Sequence, residues 1–248
     1  MGRAVLCVLV VVGLAGAAGC ERGRPAAAPN ATPTPTATTT TPVGPGPTPT
    51  ESVATGSVTP TPTGTPLRLT DDQAAELLVA PTDLPDLYQV DPYVSPDTRV
   101  GLPPGCPVLD AFGAALKAAP VRAARGFLGG PVGPFLEERV GVLAGTAADV
   151  VGRFAGVTTA CRSFDSRDAD GTRVRFAVTA LAFPGAADQS VAVTMTGRPS
   201  QSGVLVTEVV AVRRGDVVLV FVHSGLDRLD PAVLQAGLDR AVQTLASF

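Results

Sequence analysis

The sequence is poor in the residues that carry most protein chemistry. Its 248 residues include one histidine, four cysteines, two methionines, two tyrosines and no tryptophan. Of the cysteines, only Cys106 and Cys161 fall in the part that reads as folded, and with a single histidine their spacing fits no zinc site, so no metal is expected. The net charge of −3 comes without a block of like charges, which leaves no electrostatic footprint for nucleic acid or for an anionic membrane surface. The apolar run Ala4 to Leu14 is shorter than the roughly 20 residues needed to span a bilayer, so a permanent transmembrane anchor is the weaker reading. Lys117 is the only lysine; with abundant Ala, Gly, Val, Pro and Arg, this looks like the coding bias of a high-GC genome.

Composition divides the chain into residues 1–19, 20–66 and 67–248. In the first, Arg3 precedes the apolar run, which relaxes into Gly16-Ala17-Ala18-Gly19 before Cys20, the shape of a signal peptide. Ala17-Ala18-Gly19-Cys20 resembles a bacterial lipobox, which implies cleavage before Cys20 and transfer of diacylglyceryl onto its sulfur, with palmitate-type acyl chains. Leu usually stands where Ala17 does, and ordinary secretory cleavage after Gly16-Ala17-Ala18 is the alternative. Cysteine arithmetic favours lipidation: Cys7 leaves with the signal, Cys106 and Cys161 make a pair, and Cys20 would otherwise be an odd thiol in an oxidising compartment.

From Pro25 to Pro66 the chain repeats Thr-Pro and Pro-Thr pairs and has Glu51 as its only charge. No packed core can form from such a composition; a polyproline-like tether there would reach on the order of 100 Å at ~3.1 Å per residue. Thr/Pro stalks also suit O-glycosylation, while the sequon Asn30-Ala31-Thr32 reads as chance.

Residues 67–248 read as one domain of mixed type. Thr70 to Gln73 form a capping box for a short helix through Leu78. Cys106-Pro107 opens a second helix, with Val108, Leu109, Phe112 and Leu116 along one side. Val121 to Leu128 and Phe135 to Leu143 suggest a hairpin around Gly129-Gly130-Pro131. Thr146 to Asp149 signal another helix, which sets Val150, Phe154, Val157 and Cys161 on one stripe. Alternating segments about Val174–Val178, Val191–Met195, Val204–Val212 and Val217–Val222 form a meander, and Asp230-Pro231 caps a last helix carrying Leu234, Leu238, Ala241 and Leu245. The expected fold class is α+β, a two-layer sandwich of a mainly antiparallel sheet with helices on one face. Packing the two cysteine-bearing helices on one sheet would allow a Cys106–Cys161 disulfide, whose loop closure is worth ~4 kcal/mol in the chain-entropy model.

Candidate chemistry is sparse. His223, Ser224 and Asp227 are close in sequence, but adjacent strand residues point to opposite faces, so they cannot close as a triad, and no Gly-x-Ser-x-Gly elbow is present. Asp168, Asp170 and Gly171 match three positions of a calcium loop, but Ser166 and Ala177 occupy its first and twelfth, so the segment Asp165 to Gly171 reads as a polar turn. Gly126 to Gly130 lacks the Gly-Lys ending of a phosphate loop, and Arg213-Arg214 is a basic hairpin point. No catalytic residue, cofactor or metal ligand is assigned, and no enzyme is expected.

The lipobox, the tether, the Cys106 and Cys161 pair, the Asp170-Gly171-Thr172 turn and the Arg213-Arg214-Gly215 hairpin together resemble an actinobacterial sensor-domain lipoprotein. That family is similar to the extracellular domains of receptor-type serine/threonine kinases. The resemblance implies an α/β sandwich with a cleft for an envelope ligand, on a monomer anchored by lipid at the outer face of the cytoplasmic membrane. The alternatives are an interaction subunit of an envelope complex and, third, an envelope hydrolase using His223. Intact mass of the protein from membranes of an actinobacterial host is expected to include a diacylglyceryl increment that a Cys20→Ala variant lacks; equal lipid content in both would exclude Cys20 as the anchor.

Overall fold

The computed structural model describes residues 69–85, 88–131, 133–167, 171–184, 187–199 and 203–248. The signal peptide, Cys20 and the tether expected in residues 1–66 lie outside the described residues.

Eight strands form one antiparallel sheet in the order β1-β2-β3-β8-β7-β6-β5-β4, with β1 Gln89–Asp91, β2 Val121–Leu128, β3 Phe135–Val142, β4 Ser163–Arg167, β5 Arg173–Ala180, β6 Gln189–Arg198, β7 Leu205–Arg214 and β8 Val217–Leu226. Five helices accompany it: α1 Asp71–Glu76, α2 Pro107–Lys117, α3 Ala147–Ala155, α4 Val157–Ala160 and α5 Pro231–Leu245. Hairpin-linked strands β4 to β8 form a meander, and β8 closes it onto β3, where Val142 faces Val217 and Phe135 faces Ser224. The fold is thus α+β with an antiparallel sheet, as the alternating segments predict.

β8 shows why the helices lie where they do. Its residues Val217 to Val222 are all buried, so alternation sends one apolar row to each side of the sheet. Val218, Val220 and Val222 join α2, α3 and α4 in one core, and Val217, Leu219 and Phe221 join α1 and α5 in another. The expected helical layer is α2 to α4; α1 and α5 add cover on the reverse of the central strands. Fully burying a Val, Leu or Phe side chain is worth roughly 1.5–3 kcal/mol, so neither row could be left in water. By contrast β5 buries only Val174, Phe176 and Val178, and its alternate residues face solvent.

Local chemistry sets the helix ends. Thr70 and Gln73 make the capping box at α1, and Asp230 accepts the Ala232 N–H at α5. The capping signal at Thr146 is not used: its hydroxyl donates to the Leu143 carbonyl, which leaves the start of α3 to backbone bonds. The helix expected to run through to Cys161 breaks at Gly156, and α4 completes the turn that delivers the cysteine. Phe112 of α2 stacks on Phe154 of α3 with ring centroids 4.4 Å apart. Cys106, at the head of α2, is bonded to Cys161, just past α4, with a Cα separation of 6.0 Å.

That bond closes a loop 55 residues in span, across the α2/β2/β3/α3 segment. A Cys106→Ala, Cys161→Ala double variant is expected to lose about 4 kcal/mol, read from urea unfolding as a fall in the midpoint with a larger m-value, because the unlinked chain unfolds to a less compact state. A loss below about 1 kcal/mol would mean that the helical layer holds without the cross-link.

Candidate functional site

A strap, residues 92–102, links β1 to the region before α2, and it lies over the α2 side of the sheet. Two charged side chains on β3 fasten it. Arg139 is buried, donating from Nη1 to the carbonyls of Ser95 and Pro96 and from Nη2 to the Thr98 hydroxyl and the Arg99 carbonyl, while its Nε meets Glu137 Oε1. Glu137 Oε2 accepts the Gly101 N–H at 2.9 Å. Gly101 is needed there, because a Cβ would stand 2.7 Å from that carboxylate oxygen. A buried guanidinium with its donors satisfied fixes several backbone carbonyls at once, so the strap is held as rigidly as a strand.

Clefts open on both sides of it. One, of about 320 Å³, runs between the strap and α2, with Val100, Leu102 and Leu109 forming its floor, Gly113 and Ala114 its wall, and Lys117 at one end. Arg99 and Asp110 pair across it at 3.0 Å. The other, of about 240 Å³, lies between Asp91 at the end of β1, the strap residues Val94 and Gly101, and the strand residues Phe135, Glu137, Val222 and Ser224. Tyr93 and Phe135 stand exposed beside it, 81% and 40% accessible. The acidic and basic groups of both clefts are largely committed to each other, and apolar walls dominate. Such a lining suits holding a ligand by shape and a few polar contacts.

The reverse face has polar side chains of its own that hold the chain above them. Glu138 Oε2 accepts the Val79 N–H at 2.6 Å, and Arg125 Nη1 donates to the Val79 carbonyl at 2.7 Å. One residue of the covering segment is therefore held by both backbone groups. Burial pushes the Glu138 carboxyl up to about 8, against the lowering effect of the Val79 bond and Arg125. Nearby, His223 Nε2 lies 3.1 Å from the Tyr88 hydroxyl. Burial pulls His223 down to about 4, so the 3.9 Å approach of Glu208 to Nδ1 is no ion pair at neutral pH.

The sequence candidates separate. His223 is sealed from solvent, Ser224 points to the other face, and Asp227 accepts the Val204 N–H, so the three are not assembled. Asp165 pairs with Arg173 in β4 and β5, Ser166 is buried, and Gly171 takes a positive φ; Asp168 and Asp170 lie outside the described residues. Among the described residues no group of acidic, Cys and His side chains could hold a metal ion. Gly126 belongs to β2, and Arg213 is bonded to Gln189 and Gly215 at its hairpin. The side chains beside the clefts that sequence reasoning missed are Glu137 and Arg139, which with Glu138 on the other face form a run of three ionisable residues in an otherwise apolar strand; that incongruity was the available signal.

No family model matches the chain, and no curated protein matches it. Among solved structures, the extracellular domain of PknH from Mycobacterium tuberculosis shares the fold, with a TM-score of 0.54 and 13% identity, covering 74% of this chain and 99% of that one. Among the described residues no helix is long and apolar enough to cross a membrane.

Stability should follow the two buried groups on the reverse face. The folded protein holds the Glu138 proton more tightly than the unfolded chain does, so its contribution is whole below about pH 4.5 and is lost as pH rises to about 8. His223 acts in the opposite sense: its contribution is whole above about pH 6.5 and is lost as pH falls towards about 4. Urea midpoints are therefore expected to decline from pH 6.5 to 8. Glu138→Gln should remove that decline and expose a rise with pH below 6.5; a wild-type profile flat above 6.5 would refute the assignment.

Proposed function

We propose that this protein is a non-enzymatic, extracytoplasmic sensor module, lipidated at Cys20 and anchored at the outer face of the cytoplasmic membrane, that captures an envelope ligand beside its strap. The observation carrying this reading is the strap itself. A segment tied down by buried hydrogen bonds, with an apolar cleft on each flank, offers a preformed seat, and the Arg99–Asp110 and Glu137–Arg139 pairs beside it engage each other, which favours binding over proton transfer. The likeness of fold to an extracellular domain supports the placement outside the cytoplasm. A hydrolase built on His223 has little support, because that imidazole is sealed and neutral.

A second reading, an interaction subunit of an envelope complex, draws on the exposed Tyr93, Phe135 and Leu226 near the end of the sheet. The two readings part experimentally. The full chain purified from membranes is titrated with fractionated envelope extract while its melting temperature is followed. A ligand present at 100 times its Kd should stabilise it by about 2.7 kcal/mol, a shift of several degrees. Ala114→Phe, which fills the α2 cleft, or Ser224→Phe, which fills the other, should abolish that shift while leaving the ligand-free melt in place. A shift that survives both variants would remove the clefts as the seat.

A further inference from the structure

The outer strands β4, β5 and β6 have a bare face, the one opposite α2 to α4, and its charges are unevenly placed. Arg167 lies directly across from Arg173, and Arg175 directly across from Arg198. All four are exposed. Like charges facing each other on neighbouring strands destabilise a sheet, so two such pairs side by side are a cost that packing does not explain. Asp165 is the one carboxylate described among them, and it pairs with Arg173 at 3.0 Å. Among the described residues Arg167 donates to the Gly171 carbonyl and Arg175 to the Ser163 hydroxyl. Beyond the arginines the face continues with small and hydroxyl side chains, Ala177, Thr179 and Thr196, all exposed. The face carries none of the aromatic rings on which nucleic-acid bases stack.

We propose that this face binds an extended polyanion bearing phosphate groups on a sugar or polyol backbone. The arginine forks match phosphate oxygens in pairs, and the threonine hydroxyls suit a hydroxylated chain laid across the strands. Because the whole chain is net negative, attraction of such a polymer must come from this local field. The turn between β4 and β5 carries Asp168 and Asp170, outside the described residues, so the decisive pair is Arg175 and Arg198, farther along the strands.

The test is calorimetric titration of the full chain, in low salt, with inorganic polyphosphate as the probe and with poly-L-glutamate as the competitor. Arg175→Thr and Arg198→Thr should each weaken polyphosphate binding about tenfold or more, the worth of one charge-assisted contact. Each should also reduce the steepness of the log K against log salt plot by roughly 0.7. Arg153→Thr, on α3, should leave binding within about twofold of wild type once the titration is repeated at about 0.15 M salt, where a charge farther away than roughly 8 Å counts for little. The free Arg175 and Arg198 variants should melt no lower than wild type, since each relieves a like-charge pair; a lower melt would show the arginines to be structural. Absence of polyphosphate binding, indifference to both substitutions, or binding of poly-L-glutamate as tight as that of polyphosphate would each overturn the proposal.

Discussion

Everything in this fold follows from strands that are apolar on both sides. β8 and its neighbour β7 bury residues towards α3 on one face and towards the α5 side on the other, so the sheet cannot be finished by a single layer. The segment from Leu69 to Lys117 answers that constraint. It lays α1 and the residues around Val79 over one face, passes the sheet edge as β1, and returns as the strap and α2 over the opposite face. A wrap of this kind leaves backbone polar groups near a core, and each must find a partner. Arg125, Glu138, Glu137 and Arg139, all on β2 and β3, supply those partners, the first two to Val79 and the last two to the strap. Polar side chains of two neighbouring strands are therefore the means by which an irregular segment is held against a sheet.

That economy shapes the candidate site. Clefts arise wherever a strap crosses a sheet without filling the space at its sides, and here the strap is too well bonded to collapse into them. The reverse face shows the opposite solution: near Val79 the cover is drawn close, and Glu138 and His223 are left in a dry environment that favours their neutral forms.

Much of the architecture was legible because periodicity and caps act locally. The Thr70 box, Pro107 at the head of α2, the alternation of β5 and the apolar stripe of α5 each announce themselves within a few residues. The pairing of Cys106 with Cys161 could be anticipated from the placement of both on helices. What stayed hidden depends on partners distant in sequence. β1 has three residues and no alternation of its own, and the five residues of β4 are mostly polar, so from sequence Asp165 to Arg167 read as part of a turn. The strap is unrecognisable until β3 comes beneath it, 40 residues or so away. The basic character of the outer face was equally invisible: Arg167, Arg173, Arg175 and Arg198 form no run in the sequence, and only strand register gathers them.

The covalent bond between Cys106 and Cys161 also divides the domain mechanically. Tension entering at Leu69 meets α1, Val79, the edge strand and the strap in turn, each attached by hydrogen bonds and small apolar contacts that can be peeled one at a time. The peel stops at Cys106, where the load passes through sulfur to α4 and the β4 end of the sheet. The 35 described positions ahead of Cys106 thus act as a yielding fuse, and the helix-covered half of the sheet behind the cross-link as the block that bears the force.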